Sequence, residues 1–238
     1  MGKRNCSIIF SFILVFIIFL EIQAEQTKLS AHQIIEKMGE TYRKCFSYQD
    51  SGVIQKTQIN PSKKQVVQKP FKTYFAQPNL FCFEWKEKIP QKEETLLYVV
   101  WHNGKEAYTY WELGKFEKEN SLEQAIVANS GISSSGISTV PLMLINQERS
   151  FILKSLIDEI LLREDVIDGV KCYVIQAIYE KLGREVELWI GKDDFLLRKF
   201  KRKLFSGAIS EEIHKNIELD HKISKEIFNF KPPLRTKK

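Results

Sequence analysis

The chain of 238 residues is 43% hydrophobic and 28% charged, and its formal net charge is +6 at pH 7. This length suits one domain with a sizeable core. The positive balance does not indicate a nucleic-acid partner, because the N-terminus directs the chain to export. Such a charge would attract an anionic envelope surface or an acidic lipid headgroup, and the alternative is a solvated, charged face of a sheet.

The N-terminus has the pattern of a secretory signal peptide. Two basic residues precede an apolar run at residues 7–20, and Ala24 offers a small residue before a cut. An uncleaved membrane anchor is the alternative, but the run is shorter than the ~18–20 residues that span a bilayer. We therefore expect a signal peptide at residues 1–24 and a single domain at residues 25–238. Cleavage removes two positive charges and one negative charge, which leaves +5.

Three cysteines remain after cleavage, and they bear on a disulfide. An exported protein meets an oxidising environment, so one disulfide is expected among Cys45, Cys82 and Cys172. We favour Cys82 with Cys172, because both lie in predicted strands, while a buried free thiol at each position is the alternative. The spacings match no zinc site, and we expect no metal and no cofactor.

An amphipathic helix is predicted from residue 30 to about residue 46. Ser30 and Gln33 form a capping-box pattern at its start. Apolar residues recur along it at helical spacing and make one stripe, which should pack on a sheet. That stripe consists of Ile34, Ile35, Met38, Tyr42 and Cys45.

A run of β-strands follows the helix. Five strands are predicted, at residues 48–59, 66–76, 80–88, 96–101 and 105–111. In the third strand Phe81, Phe83 and Trp85 alternate with polar side chains and therefore share one face. Asn103-Gly104 lies between the last two strands and predicts a hairpin with a type I′ turn. Consecutive strands of this kind form an antiparallel meander.

A helical insertion interrupts the meander. Helices are predicted at residues 121–128, 141–145 and 151–162. The Ser/Gly-rich residues 131–136 between them are interpreted as a flexible connector. The insertion is too apolar to lie in solvent, so we expect it to cover the apolar face of the sheet.

Antiparallel strands resume after the insertion. Residues 164–205 hold three runs that alternate between apolar and charged residues, which indicates a sheet with one dry and one wet face. Asp168-Gly169 and Asp193-Asp194 are interpreted as turns between these runs. A last strand is predicted at residues 209–220.

The residues show no catalytic constellation, and we expect no enzyme. The four histidines are His32, His102, His214 and His221, and they form no metal-binding pattern. We expect His214 and His221 at the surface or at an edge of the sheet. Residues 131–136 lack the spacing of a nucleophile elbow.

Three motifs in the second half of the chain carry a family resemblance. They are D-G-V-K-C-Y-V at residues 168–174, E-L-W-I-G-K-D-D-F-L-L-R-K at residues 187–199 and F-N-F-K-P-P at residues 228–233. With the signal peptide, helix, meander and insertion before them, they resemble the LolA/LolB-like envelope lipoprotein-carrier superfamily. The branch that the chain resembles most is that of outer-membrane lipoprotein-sorting proteins.

The resemblance implies a mainly β (α+β) fold and a periplasmic location. The expected architecture is an incompletely closed antiparallel β-barrel, a half-barrel, with an N-terminal helix and a helical lid on its concave face. In this superfamily the concave face holds a cavity for acyl chains, so the expected function is binding or carriage of a lipid or of lipoprotein acyl chains. The alternative is a protein-interaction or stress-sensor module of the same fold with a filled core and an envelope membrane protein as partner.

The candidate ligand site is the apolar interior between sheet and lid. Whether these side chains line a cavity or fill a core depends on how the helices occupy the space. The candidate residues are Phe81, Phe83, Trp85, Leu142, Ile145, Val186, Leu188, Ile190 and Phe200.

Overall fold

The computed structural model describes residues 29–60, 63–89, 94–114, 116–134, 136–146, 150–204 and 206–233. The predicted signal peptide at residues 1–24 lies outside these ranges. The described strands are β1 (Ser47–Asn60), β2 (Lys63–Ala76), β3 (Leu80–Lys88), β4 (Thr95–Asn103), β5 (Ala107–Trp111), β6 (Phe116–Glu119), β7 (Leu156–Ile167), β8 (Val170–Tyr179), β9 (Arg184–Gly191), β10 (Leu197–Lys203) and β11 (Ile209–Leu219). The described α-helices are α1 (Ala31–Lys44), α2 (Leu122–Asn129), α3 (Val140–Ile145) and α4 (Phe151–Lys154). Short 3-10 helices lie at Gly136–Ser138, Glu180–Leu182 and Lys225–Phe228.

The strands form one antiparallel sheet with the order β6-β5-β4-β3-β2-β1-β11-β10-β9-β8-β7. Two meanders therefore meet where the first strand pairs with the last, and Gly52 lies opposite His214 in that pairing. A side chain at Gly52 would collide with the carbonyl oxygen of Ile213 and with the ring of Phe71. The sheet does not close on itself, which confirms the predicted half-barrel with helices.

Helix α1 begins at Ala31, as predicted, and packs its apolar stripe inward. Ile34 and Met38 are fully buried. The Tyr42 hydroxyl accepts a hydrogen bond from the backbone N–H of Leu197 at 3.1 Å. This contact fixes the helix against one face of the sheet, called the concave face below. None of the described helices is long and apolar enough to cross a membrane.

The segment α2–α4 covers the concave face and is called the lid below. Most of its apolar residues are buried as expected, although Val127 and Ile132 are exposed. The predicted helix at residues 151–162 is wrong beyond Lys154. Leu156 begins β7, which pairs with β8 through the turn at Asp168-Gly169. Register shifts after Ile157 and after Leu161 disturb the alternation of β7. The apolar residues consequently fall at helix-like spacing although they belong to a strand.

The hairpin at Asn103-Gly104 is confirmed, but its turn differs from the predicted type. Only Gly104 has a positive φ there, of +94°. The backbone N–H of Asn103 donates to the carbonyl of Glu106, and the Asn103 side chain accepts from the N–H groups of Lys105 and Glu106. Asn103 therefore stabilises this four-residue loop through the hydrogen bonds of its side chain, and its backbone does not adopt the left-handed conformation.

The outer face of the first meander carries a second apolar cluster. The C-terminal segment folds over it and buries Phe228 against Cys82, Val99, Trp101 and Tyr110. The ring of Phe230 packs on Trp101 with a centroid distance of 5.0 Å. The C-terminal segment therefore covers part of the outer face of β3, β4 and β5.

Candidate functional site

The structure places all seven predicted strand residues of the site on the concave face. Phe81, Phe83, Leu188 and Ile190 have an exposed fraction of 0%. Such a value leaves no water-sized space beside these side chains. The remaining candidates Trp85, Val186, Phe200 and Leu142 are buried and Ile145 is half-buried. In the closed molecule these candidates fill a core.

The candidates fall into two groups that other residues separate. Phe81, Phe83 and Trp85 lie on β3, whereas the second group lies on β9 and β10. The intervening strands β2, β1 and β11 present Phe71, Ile54 and a set of polar side chains to the same face. The site therefore consists of two apolar surfaces of the sheet with a polar centre between them.

Stacked aromatic rings run from this centre towards one end of the sheet. The ring centroids of Phe71 and Phe83 are 5.5 Å apart, and those of Phe83 and Trp85 are 5.7 Å apart. Trp85 then stacks on Tyr98 at 4.9 Å, and Tyr98 on Trp111 at 6.0 Å. Trp111 is 45% exposed. The row therefore joins the buried interior to the solvent.

The polar centre contains a buried cluster of ionisable side chains that the sequence did not predict. His214 and Asp50 are both buried, and His214 Nδ1 lies 2.6 Å from Asp50 Oδ2. His214 Nε2 lies 3.1 Å from Glu212 Oε1. The Tyr48 hydroxyl donates to Asp50 Oδ2 at 2.9 Å. The expectation of His214 at the surface or an edge is thus wrong, because β11 is a central strand and turns this side chain inward.

The two carboxylates hold His214 in its charged form. Burial lowers the pKa of His214, but the hydrogen bonds and charges of Asp50 and Glu212 outweigh it and raise the pKa to about 9. His214 is therefore protonated at neutral pH. Burial also raises the pKa of Tyr48 well above its ordinary value, which keeps its hydroxyl a donor.

The lid is held to this centre by three side chains of the sheet. Lys69 Nζ donates to the carbonyl oxygen of Ile132 at 2.6 Å, and Arg202 Nη2 donates to that of Ser134 at 2.7 Å. Glu212 accepts a hydrogen bond from the Thr139 hydroxyl. We call these three contacts the lid clamp.

The part of the lid that the clamp holds is the Ser/Gly-rich segment. Ser133 is fully buried, and a Cβ added to Gly136 would collide with the side chain of Ile54. Within the segment interpreted as a flexible connector, Ser133 and Gly136 are thus packed against the sheet, whereas Gly131 and Ile132 are exposed. A residue without a side chain is needed at position 136, because the backbone there lies directly on Ile54.

The predicted disulfide is absent. Cys45, Cys82 and Cys172 are free and buried. Cys82 on β3 and Cys172 on β8 belong to different clusters, with five strands between them in the sheet. A disulfide requires Cα atoms within about 7 Å, which this separation does not allow.

Reductant is accordingly expected to leave the melting temperature of the folded protein unchanged. Burial raises the pKa of the Cys45 and Cys172 thiols to about 11, so neither is a reactive thiolate at neutral pH. Thermal unfolding with and without dithiothreitol measures this. A fall of several degrees on reduction would show a disulfide that the structure lacks.

Known proteins are similar to this chain in fold. The Mycobacterium tuberculosis lipoprotein LppX has 10% identity and a TM-score of 0.48, over 82% of this chain and 97% of that one. A LolA superfamily protein from Nitrosomonas europaea has 15% identity and a TM-score of 0.35, over 84% and 97%. LprF from Mycobacterium bovis has 13% identity and a TM-score of 0.45, over 82% and 94%.

No protein-family model matches the chain, and no curated protein does. At such identities the likeness concerns the fold.

Proposed function

We propose that the protein binds acyl chains of a lipid or a lipoprotein on its concave face, in the periplasm, after the lid moves away from the sheet. The mature chain would be residues 25–238, exported through the signal peptide at residues 1–24. Phe83, Trp85, Leu188 and Phe200 would contact the ligand in the open state. Burial of an acyl chain contributes about 0.8 kcal/mol per CH₂ group, so a single long chain suffices for binding. No catalytic step is part of this proposal.

The lid clamp carries the proposal. A permanently filled core gains most from apolar contacts, and buried cations weaken it because they lose hydration. Here Lys69 and Arg202 instead bind carbonyl groups of one short lid segment, and Glu212 binds Thr139. Contacts of this kind can be exchanged for water or for a ligand when the segment leaves. An apolar floor under a cover attached by exchangeable polar contacts is what a carrier with two states requires.

A reversible disulfide between lid and sheet tests the proposal. A Cβ at position 136 would lie 2.9 Å from Ile54 Cγ1, so cysteines at both positions would have Cβ atoms within about 4.5 Å, as a disulfide requires. We expect the oxidised variant Ile54→Cys/Gly136→Cys to lose about tenfold or more in affinity, because the open state is no longer populated. Reduction should restore binding.

The measurement is lipid uptake from vesicles of equal parts phosphatidylethanolamine and phosphatidylglycerol, followed by native mass spectrometry. Ile54→Cys alone, treated with the same oxidant, is the matched control and should keep its lipid uptake. Equal uptake by the oxidised and reduced double variant would refute a moving lid. Absence of uptake by the wild-type protein would refute the lipid carrier itself.

A protein-interaction module with a filled core is the second candidate. The edge strand β7 has twelve residues and carries exposed apolar side chains, among them Ile160 and Val166 at 56% and 57% exposure. Unpaired edges of this kind accept a strand of a partner protein.

A photo-crosslinker placed at residue 160 in the living cell tests this second function. An adduct of defined mass that disappears with Leu162→Lys would support the interaction module, since a lysine on this edge strand disfavours pairing with a strand of a partner. A crosslinker at Leu113, which is exposed at the opposite end of the sheet order, is the control. An adduct at both positions would indicate unspecific contact and would count against this function.

A further inference from the structure

We infer that the ligand of the concave face carries an anionic headgroup, and that Lys69 and Arg202 bind the headgroup after they release the carbonyl groups of the lid. This inference rests on the proposed function. The chemistry in question is an anion with oxygen acceptors, such as a phosphate or a carboxylate.

The strand register places the two cations on one face with β1 and β11 between their strands, and their side chains reach lid carbonyl groups that are two residues apart. Lys69 on β2 lies opposite Ile54 on β1, and Ile54 lies opposite Glu212 on β11. Arg202 on β10 lies opposite Ser210, in the next row of inward-facing residues. The lid segment lies on Ile54 between the two cations, and each cation reaches it from one side.

A third cation faces the same region. Lys56 follows Ile54 by two residues on β1 and therefore points to the same face. Its partner in the register is Ser210, which is itself opposite Arg202. Lys56 is half-buried, on the side of the β1–β2 hairpin. The cations thus lie towards one end of the strands.

The positive charge is only partly compensated. Glu87 lies 3.1 Å from Lys69, and Glu212 is engaged with His214 and Thr139. Among the described residues, no carboxylate lies within ion-pair distance of Arg202. Its Nε is buried and has no hydrogen-bond partner there. Burial lowers the pKa of Arg202, which reflects the unfavourable environment of its charge.

An anionic headgroup would accept hydrogen bonds from donors of Arg202 that the lid carbonyl groups leave without a partner. A guanidinium has donors in a planar fork that matches the paired oxygens of a phosphate or a carboxylate, whereas the Ser134 carbonyl oxygen accepts a hydrogen bond from Nη2 and not from Nε. The anion would therefore replace Ile132 and Ser134 in a stronger interaction and free the lid in the same step. The aromatic row beside the cations would then take the acyl chain.

Short-chain lipids that stay monomeric test the inference without a charged membrane surface. We expect dihexanoyl phosphatidylglycerol to bind the wild-type protein about tenfold more tightly than dihexanoyl phosphatidylcholine, measured by titration calorimetry. In Lys69→Met and in Arg202→Met this ratio should fall to about twofold or less. Lys86→Met removes an exposed cation of β3 and should keep the full ratio.

Charge-conserving variants guard against misfolding as an explanation. Arg202→Lys keeps the positive charge but not the planar fork of donors, so a ratio between those of wild type and Arg202→Met is expected.

A competition experiment with inorganic phosphate, matched in ionic strength with chloride, separates the two sources of the anion. Competition by phosphate would show that the headgroup alone is recognised, and its absence would show that the acyl chain is needed as well; the inference stands in both cases.

Two results would overturn the inference, and they differ from one another. Equal affinity of the wild-type protein for both lipids would refute the anionic headgroup and leave the acyl-chain carrier intact. Absence of binding to either lipid, together with no uptake from vesicles, would refute the carrier and the inference with it.

Discussion

Replacement of Phe83 by alanine is expected to lower the free energy of unfolding by about 3–5 kcal/mol. Phe83 is fully buried, stacks on Phe71 and touches the position under Gly136 where the lid lies on the sheet. Its removal leaves a cavity that the surrounding sheet and lid cannot fill without moving. Unfolding in urea, followed by circular dichroism, measures the loss.

This prediction also separates a filled core from a permanent cavity. If Phe83 lined an open cavity, its truncation would enlarge an existing space and lower the free energy of unfolding by about 1 kcal/mol or less. Phe46→Ala is the matched control, because Phe46 is 57% exposed and its loss should stay below about 1 kcal/mol. Equal effects of the two substitutions would contradict the closed, filled interior.

The parts of the fold that follow local patterns could be predicted from the sequence. Alternation in β3 placed Phe81, Phe83 and Trp85 on one face, and the stripe of α1 identified the side that packs. Residues 156–162 were misread because β7 contains two register shifts, which give helix-like spacing to a strand. Residues 156–162 form a strand because they pair with β8, and a short stretch of sequence does not include that partner.

The polar centre could not be predicted, because it depends on contact between distant parts of the chain. His214 and Asp50 are 164 residues apart and meet because the last strand pairs with the first. A local signal did exist. Ser210, Glu212 and His214 recur at every second position of one strand, and this pattern places three polar side chains on one face. Only the position of β11 in the middle of the sheet shows that this face is the buried one.

The lid clamp could not be predicted from the sequence for a related reason. Residues 131–136 have the composition of a flexible connector, and composition alone does not reveal that Ser133 and Gly136 are buried. Lys69 and Arg202, which hold this segment, stand on strands that are far from it in sequence. The functional argument thus depends on side chains that look like ordinary surface cations until the sheet is assembled.

The free energy of unfolding is expected to fall by about 3 kcal/mol as the pH rises from about 6.5 to about 9. The pKa of His214 is raised from 6.5 to about 9 in the folded protein. Below pH 6.5 the histidine is protonated in both states, and its stabilising interaction is fully present. Between the two values only the folded state keeps the proton, so each rise in pH favours unfolding until His214 loses its proton there too.

The substitution His214→Gln is expected to abolish this dependence and to lower the stability at pH 7 by about 3–5 kcal/mol, because Asp50 and Glu212 then face each other without a cation. Urea unfolding at half-unit intervals of pH measures both effects, and the difference between wild type and variant removes the contribution of other titrating groups. His32→Gln is the control, because this side chain is 64% exposed and should leave the pH profile unchanged. A wild-type profile that is flat over this interval, or a slope that survives in His214→Gln, would show that His214 is not charged in the folded protein.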